Sequence, residues 1–307
     1  MQMKKLHLIE EKFPHYEKSQ KDFPLRNYFS FTNDRSEVVY GKMVERLMGA
    51  ASAQQWLSVM RFSHGEFDLC LGKPPPRNIG LAGLARFYLG SFAKRFGIGN
   101  AVGYGGSLND GKSRESLKFS EVSEAKKIWL QSMQQLSTNG LIAANFQDRP
   151  DSIDRIEPMR QFCEKHSIHL DADNYAPFFG VYAFICGPDF NQLVAGKHVV
   201  AVTWFDAERE AGVRKSCLDA GAASFEALPV SPHRAVLEPM DLSKLGQKPD
   251  VALFACGLGS APRMLEFKDL NAVCLDAGFA LDVLANPELR GKRAWTLPDY
   301  LYPNQSI

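Results

Sequence analysis

The stretch Lys197-His-Val-Val-Ala-Val-Thr-Trp204 constrains the fold more than any other part of the chain. It is short and β-branched, and it does not alternate between apolar and polar residues. A strand with that pattern is covered on both faces, as in a parallel sheet lying between two layers of helices. Asp250-Val-Ala-Leu-Phe-Ala-Cys256 repeats the pattern, and shorter runs at 56–60, 141–146, 222–228 and 271–276 read as further strands. Segments of helical periodicity lie between them, at 42–55, 80–96, 120–137, 151–166 and 206–220. Residues 178–186 are strongly apolar and end at Gly187-Pro188. This alternation predicts an α/β, Rossmann-like fold with a mainly parallel sheet and helices on both faces.

A chain of 307 residues, 45% of them hydrophobic, suffices for one large domain or two small ones. The expected division is an N-terminal arm or cap over 1–41, an α/β domain over 42–286 and a C-terminal tail over 287–307. Pro14 and Pro24 break any long helix in the arm. Its aromatic residues suit docking on the main body or on another subunit of a homo-oligomer. The formal net charge is +1 and no basic run is interleaved with aromatics, which argues against a nucleic-acid partner. The six cysteines, Cys70, Cys163, Cys186, Cys217, Cys256 and Cys274, form no CxxC pair. They read as reduced, buried thiols of a cytoplasmic protein. No apolar run is long enough to span a bilayer.

Ligands of open α/β sheets sit at the carboxyl ends of the strands. Three loops qualify: 61–66, 257–260 and 276–278. In Arg61-Phe62-Ser63-His64-Gly65-Glu66 a strand breaks at a glycine and re-emerges as a short helix. Backbone N–H groups then point into a crevice, which suits a phosphate. Arg61 adds a cation, and His64 and Glu66 add two metal ligands. The alternative for Arg61 is a structural salt bridge, with Glu66 as its nearest partner. Gly257 and Gly259 would let the backbone approach a nucleotide, with Ser260 opening the next helix. Asp276 is a general base, a ribose or metal contact, or equally a turn aspartate capping the helix near Phe279. Gly106-Ser-Leu-Asn-Asp-Gly-Lys-Ser113 satisfies the letters of a phosphate loop, but no helix starts at Lys112, as that motif requires. His166, His169, Asp171 and Asp173 form a second polar cluster, which a loop explains better than a metal.

Arg61-Phe-Ser-His-Gly-Glu66 resembles the Arg-Phe-Gly-Asp-Gly-Glu signature of the GT-D fold glycosyltransferases, a bacterial family first described as a domain of unknown function. Tyr182-Ala-Phe-Ile-Cys186, the strand at 197–204, Val230-Ser-Pro-His-Arg-Ala235, Leu253-Phe-Ala-Cys-Gly-Leu-Gly-Ser-Ala261 and Leu275-Asp-Ala-Gly278 follow in the family's order. The resemblance implies transfer of a sugar from a nucleotide-sugar donor, expected to be uridine diphosphate-linked, to a hydroxyl of a glycan or glycoprotein. It places the donor diphosphate at Arg61, Phe62, Ser63 and Gly65 and the nucleotide near Gly257, Gly259 and Ser260. Glu66 and Asp276 become the catalytic carboxylates, and Glu66 with His64 becomes the site of a divalent Mn²⁺ or Mg²⁺. The family's metal pair is an aspartate and a glutamate two residues apart. Here His64 stands for the aspartate, Ser63 for a glycine and Phe279 for a histidine, and Cys186-Gly187 stand where the family carries an arginine. Two alternatives therefore stay open: a catalytically silent nucleotide-sugar or glycan binder, and a Rossmann-like dinucleotide or methyl-donor enzyme. The second lacks a full Gly-x-Gly-x-x-Gly after the first strand.

Overall fold

The computed structural model describes residues 36–62, 102–105, 113–117, 119–144, 161–232 and 234–290, together with positions 66, 69, 71, 81 and 158. Nine strands are present among them: β1 (Leu57–Phe62), β2 (Val102–Gly105), β3 (Ser113–Leu117), β4 (Leu141–Ala144), β5 (Tyr175–Pro177), β6 (His198–Thr203), β7 (Ser224–Pro229), β8 (Val251–Phe254) and β9 (Val273–Asp276). Seven form one sheet in the order β5-β4-β1-β9-β8-β6-β7, and every pairing in it is parallel. The fold is therefore α/β and Rossmann-like. The strand beside β1 on its second side is β9, the last among the described residues. Strands β2 and β3 make a separate antiparallel ribbon.

The register sorts the strand side chains by their twofold alternation. Val59 lies level with Leu141 and Leu275, and Met60 with Ile142. Val59, Leu141, Leu253 and Leu275 face one layer of the core, while Met60, Ile142, Phe254 and Cys274 face the other. The first layer is covered by helices α1 (Ser36–Ser52), α3 (Phe178–Ile185), α4 (Pro188–Val194), α5 (Ala207–Asp219) and α7 (Phe279–Ala285). The second is covered by α2 (Phe119–Asn139) and α6 (Ser260–Glu266). Trp129 of α2 packs on Phe62 with ring centroids 5.2 Å apart. Full burial of side chains such as Phe62 and Met133 contributes about 1.5–3 kcal/mol each.

Several expectations are revised. Helix α1 begins at Ser36, so the expected boundary between 41 and 42 falls inside it. At the other end a 3₁₀ turn, Pro287–Leu289, follows α7, and Leu289 packs on the first core layer. The apolar run at 178–186 is helix α3, preceded by the three-residue strand β5, which the pattern does not announce. Helix α3 packs against β1, β4, α4 and α7 and so needs no polar face. Ser113 opens strand β3 where a phosphate loop would open a helix. Residues 171–174 are a turn: Asp171 accepts from the N–H groups of Asp173 and Asn174, and its carboxylate meets exposed His169 at 2.9 Å. The expected helices at 80–96 and 151–160 and the arm at 1–35 lie outside the described residues, single positions aside.

Cys163, Cys186, Cys217, Cys256 and Cys274 are buried free thiols, as expected. Burial pushes the thiols of Cys163, Cys186 and Cys217 up to about 12. Among the described residues no helix is long and apolar enough to cross a membrane.

Candidate functional site

Two central strands end side by side in opposite charges. Arg61 is the fifth residue of β1 and shares the face of Val59, so its side chain rises toward α3. Asp276 is the last residue of β9, the parallel neighbour of β1. The Arg61 Nη2 lies 3.1 Å from Asp276 Oδ1, and Arg61 Nε donates to the Asp276 carbonyl at 2.7 Å. Arg61 Nη1 donates to the hydroxyl of Tyr182 on α3. The guanidinium also stacks over the rings of Tyr182 and Phe178, 4.6 and 5.4 Å from their centroids. A flat cation held by a carboxylate along its edge and by aromatic faces beside it is an arrangement that arginine makes and lysine does not.

Both side chains are nearly closed off, at 11% exposure for Arg61 and 5% for Asp276. Burial works against the charge of Arg61, but Asp276, Tyr182 and Glu66 outweigh it and hold the guanidinium firmly charged. Burial pushes the Asp276 carboxyl above its usual range, against the pull of Arg61 and of the Ser260 hydroxyl. Ser260 Oγ lies 3.3 Å from Asp276 Oδ1 and accepts from the Cys256 N–H at 3.3 Å, which ties the β8–α6 connection to the pair.

Gly278 belongs to this arrangement. Its φ of +45° suits glycine, and a Cβ placed there would lie 2.0 Å from Arg61 Nη2. The glycine in Asp276-Ala-Gly278 is thus fixed twice, by its backbone and by the guanidinium above it.

The structure brings some expected residues together and assigns others elsewhere. Glu66 is buried and close enough to stabilise the Arg61 charge, but the salt-bridge partner of Arg61 is Asp276, 215 positions away. Phe62 points into the second core layer, fully buried against Trp129, away from the charged pair. Gly259 is a packing glycine: a Cβ there would meet the Ala235 backbone at 2.6 Å, and its N–H donates to Cys256. Ser260 is buried at the start of α6 and touches Asp276, while Gly257 is exposed with φ +58°. Asp276 does not cap α7, whose N-cap is Gly278 without a side-chain bond. Ser63, His64 and Gly65 lie outside the described residues. Tyr182 and Phe178 are the residues that sequence reasoning passed over; the family-like run beginning at Tyr182 was their one signal.

The chain connections diverge here. After β8 the chain turns to the second layer through α6, whereas after β6 and β9 it turns to the first through α5 and α7. Such a divergence is the position at which open α/β sheets receive ligands, and on the β6 side of the β8–α6 connection a narrow slot lies between Thr203, Ser231, Cys256 and Gly257. Among the described residues no three His, Cys, Asp or Glu side chains lie close enough to hold a metal ion. Asp276 is already engaged by Arg61 and Ser260. All three guanidinium nitrogens of Arg61 are likewise engaged, by Asp276 and Tyr182.

Three solved structures are similar to this chain. No family model matches the sequence, and no curated protein matches it significantly. One structure is described as a new glycosyltransferase of domain of unknown function 1792 from Streptococcus sanguinis; it is 14% identical with a TM-score of 0.46, over 78% of this chain and 80% of its own. A second, described as showing that this domain has a distinct glycosyltransferase fold, is 16% identical with a TM-score of 0.42, over 80% and 83%. A selenomethionine-substituted structure of the same domain is 15% identical with a TM-score of 0.42, over 80% and 82%.

Proposed function

We propose that this chain is a glycosyltransferase that takes its sugar from a nucleotide diphosphate donor and passes it to a hydroxyl acceptor. The observation that carries this reading is the buried Arg61–Asp276 pair at the carboxyl ends of β1 and β9, next to the strand whose connection leaves the sheet on the opposite face. Ionisable groups buried at such a position are candidates for function before they are candidates for stability, because a buried ion pair gains little over apolar packing. The resemblance of residues 61–66 to the signature of diphosphate-binding transferases supplies the substrate class.

In the proposed reaction the acceptor oxygen attacks the anomeric carbon and the bond from that carbon to the diphosphate breaks. The leaving diphosphate gains negative charge, and in this reading Arg61 shares it through the N–H bonds its guanidinium does not spend on Asp276 and Tyr182. Asp276, Tyr182 and Gly278 act as positioning residues that fix the guanidinium. Glu66 is the second carboxylate of the site and the candidate for the acceptor proton. Glu66 and His64 would hold the expected Mn²⁺ or Mg²⁺, which would supply charge to the departing diphosphate.

The test is release of nucleoside diphosphate from a panel of nucleotide sugars, with Mn²⁺, Mg²⁺ or chelator, by the full chain and by Arg61→Lys and Glu66→Gln. The reading expects release from at least one donor and at least a tenfold loss in each variant. The transferase is refuted if no donor binds or is turned over while nicotinamide dinucleotide or a sulfonium methyl donor binds. Donor binding without turnover would leave a nucleotide-sugar binder.

A further inference from the structure

Trp204 follows β6 at the carboxyl edge of the sheet, and it is 49% exposed among described residues whose large apolar side chains are mostly buried. It lines a narrow slot with Thr203, Ser231, Pro232, Cys256 and Gly257, where β6, β7 and β8 end. The slot encloses about 30 Å³, too little for a ring, so a ligand would lie across its mouth on the indole face. The Trp204 backbone is clamped from below. Its carbonyl accepts from Arg209 Nη1 at 3.1 Å, and Arg209 Nη2 is held by Asp282 of α7 at 2.7 Å.

The polar groups around the slot are largely committed within the protein. Thr203 Oγ1 donates to the Ala255 carbonyl at 2.9 Å, and Cys256 Sγ to that of Val202 at 3.1 Å. Ser231 accepts from the Arg234 N–H at 3.2 Å, which leaves its own O–H as a donor toward a ligand. An aromatic platform with one hydroxyl suits a flat ring with few polar edges. A pyranose would bring several hydroxyls with too few partners.

The slot shares Cys256 with the chain of contacts that runs through Ser260 to Asp276 and Arg61. Strand β6 lies two places from β9. At about 4.8 Å per strand its mouth is therefore about 10 Å from Asp276, comparable to the separation of the base and the outer phosphate in a nucleoside diphosphate.

We propose that Trp204 is the platform on which the base of the donor nucleotide stacks, with Arg61 at the diphosphate end. This rests on the diphosphate seat proposed above, and the two are separable. Binding of uridine diphosphate, uridine monophosphate and inorganic pyrophosphate is measured on the full chain, Trp204→Phe and Trp204→Ala, with a urea melt of each as control. Loss of one base–aromatic stack weakens nucleotide binding to Trp204→Ala by roughly tenfold or more, while Trp204→Phe stays within a few fold and pyrophosphate binds all three equally. Equal affinity of uridine diphosphate for the full chain and Trp204→Ala overturns the platform and leaves the diphosphate seat. Trp204-dependent binding of the monophosphate, without any pyrophosphate binding, upholds the platform and overturns the seat. Absence of nucleotide binding to the full chain overturns both.

Discussion

Replacing Gly278 by alanine tests whether the glycine is there for its backbone or for Arg61. The new Cβ would lie 2.0 Å from Arg61 Nη2 and 2.7 Å from Cζ. Ordinary contact begins at 3.4 Å, so the guanidinium must retreat by more than an ångström and leave its 3.1 Å bond to Asp276. Two costs combine. A non-glycine residue in a sparsely populated conformation costs about 1–3 kcal/mol. Breaking a buried ion pair costs about 3–5 kcal/mol when the charges cannot re-pair. With partial relaxation the substitution should cost about 4 kcal/mol, which a domain of roughly 5–15 kcal/mol survives. The comparison is a background in which Arg61→Met and Asp276→Asn remove the pair together, a change that is often near neutral. There Gly278→Ala should cost only the backbone share, about 1–3 kcal/mol. Urea unfolding followed by circular dichroism gives the four stabilities of the cycle. Equal costs in the two backgrounds, within about 0.5 kcal/mol, would refute the claim that Arg61 selects the glycine.

The buried thiols make stability fall in alkali. Cys163, Cys186 and Cys217 hold their protons up to about 12 in the folded chain, so their contribution is whole below about pH 8.5 and is lost as pH climbs toward the folded values. Each thiol should add a slope of about 1.4 kcal/mol per pH unit in that window, and Cys217→Ala should remove one such share from urea midpoints taken between pH 8 and 10.5. Thr203→Val keeps the shape of a fully buried side chain and removes its bond to the Ala255 carbonyl; a loss of about 1 kcal/mol or somewhat more is expected in the same assay. Asp206 caps α5 by accepting from the Arg209 N–H at 2.8 Å, so Asp206→Ala should cost about 1 kcal/mol while Asp206→Asn costs little.

The strands at 198–203 and 251–254 are legible in the sequence because a strand buried on both faces leaves an unbroken apolar run. The same logic leaves 178–185 undecided, since a helix buried all round leaves the same trace. The site is legible in parts. Arg61, Glu66, Ser260 and Asp276 do come together, because each ends or follows a central strand. Local spacing points Arg61 toward Glu66, whereas the register of β1 on β9 delivers Asp276 from the far end of the chain. The glycines at 257 and 259 look alike as letters; only the approach of the Ala235 backbone separates a packing position from an exposed one.

The pairing of β1 with β9 also has a bearing on how the chain acquires its structure. Leu57 lies level with Val273, so one edge of β1 stays bare until β9 is made. Contacts of such separation form slowly, and an apolar strand edge left waiting invites pairing with other molecules. A nascent or truncated chain that stops short of residue 273 would therefore carry a sticky margin and no assembled charge pair, and the protein should depend on rapid completion or on chaperones to escape aggregation.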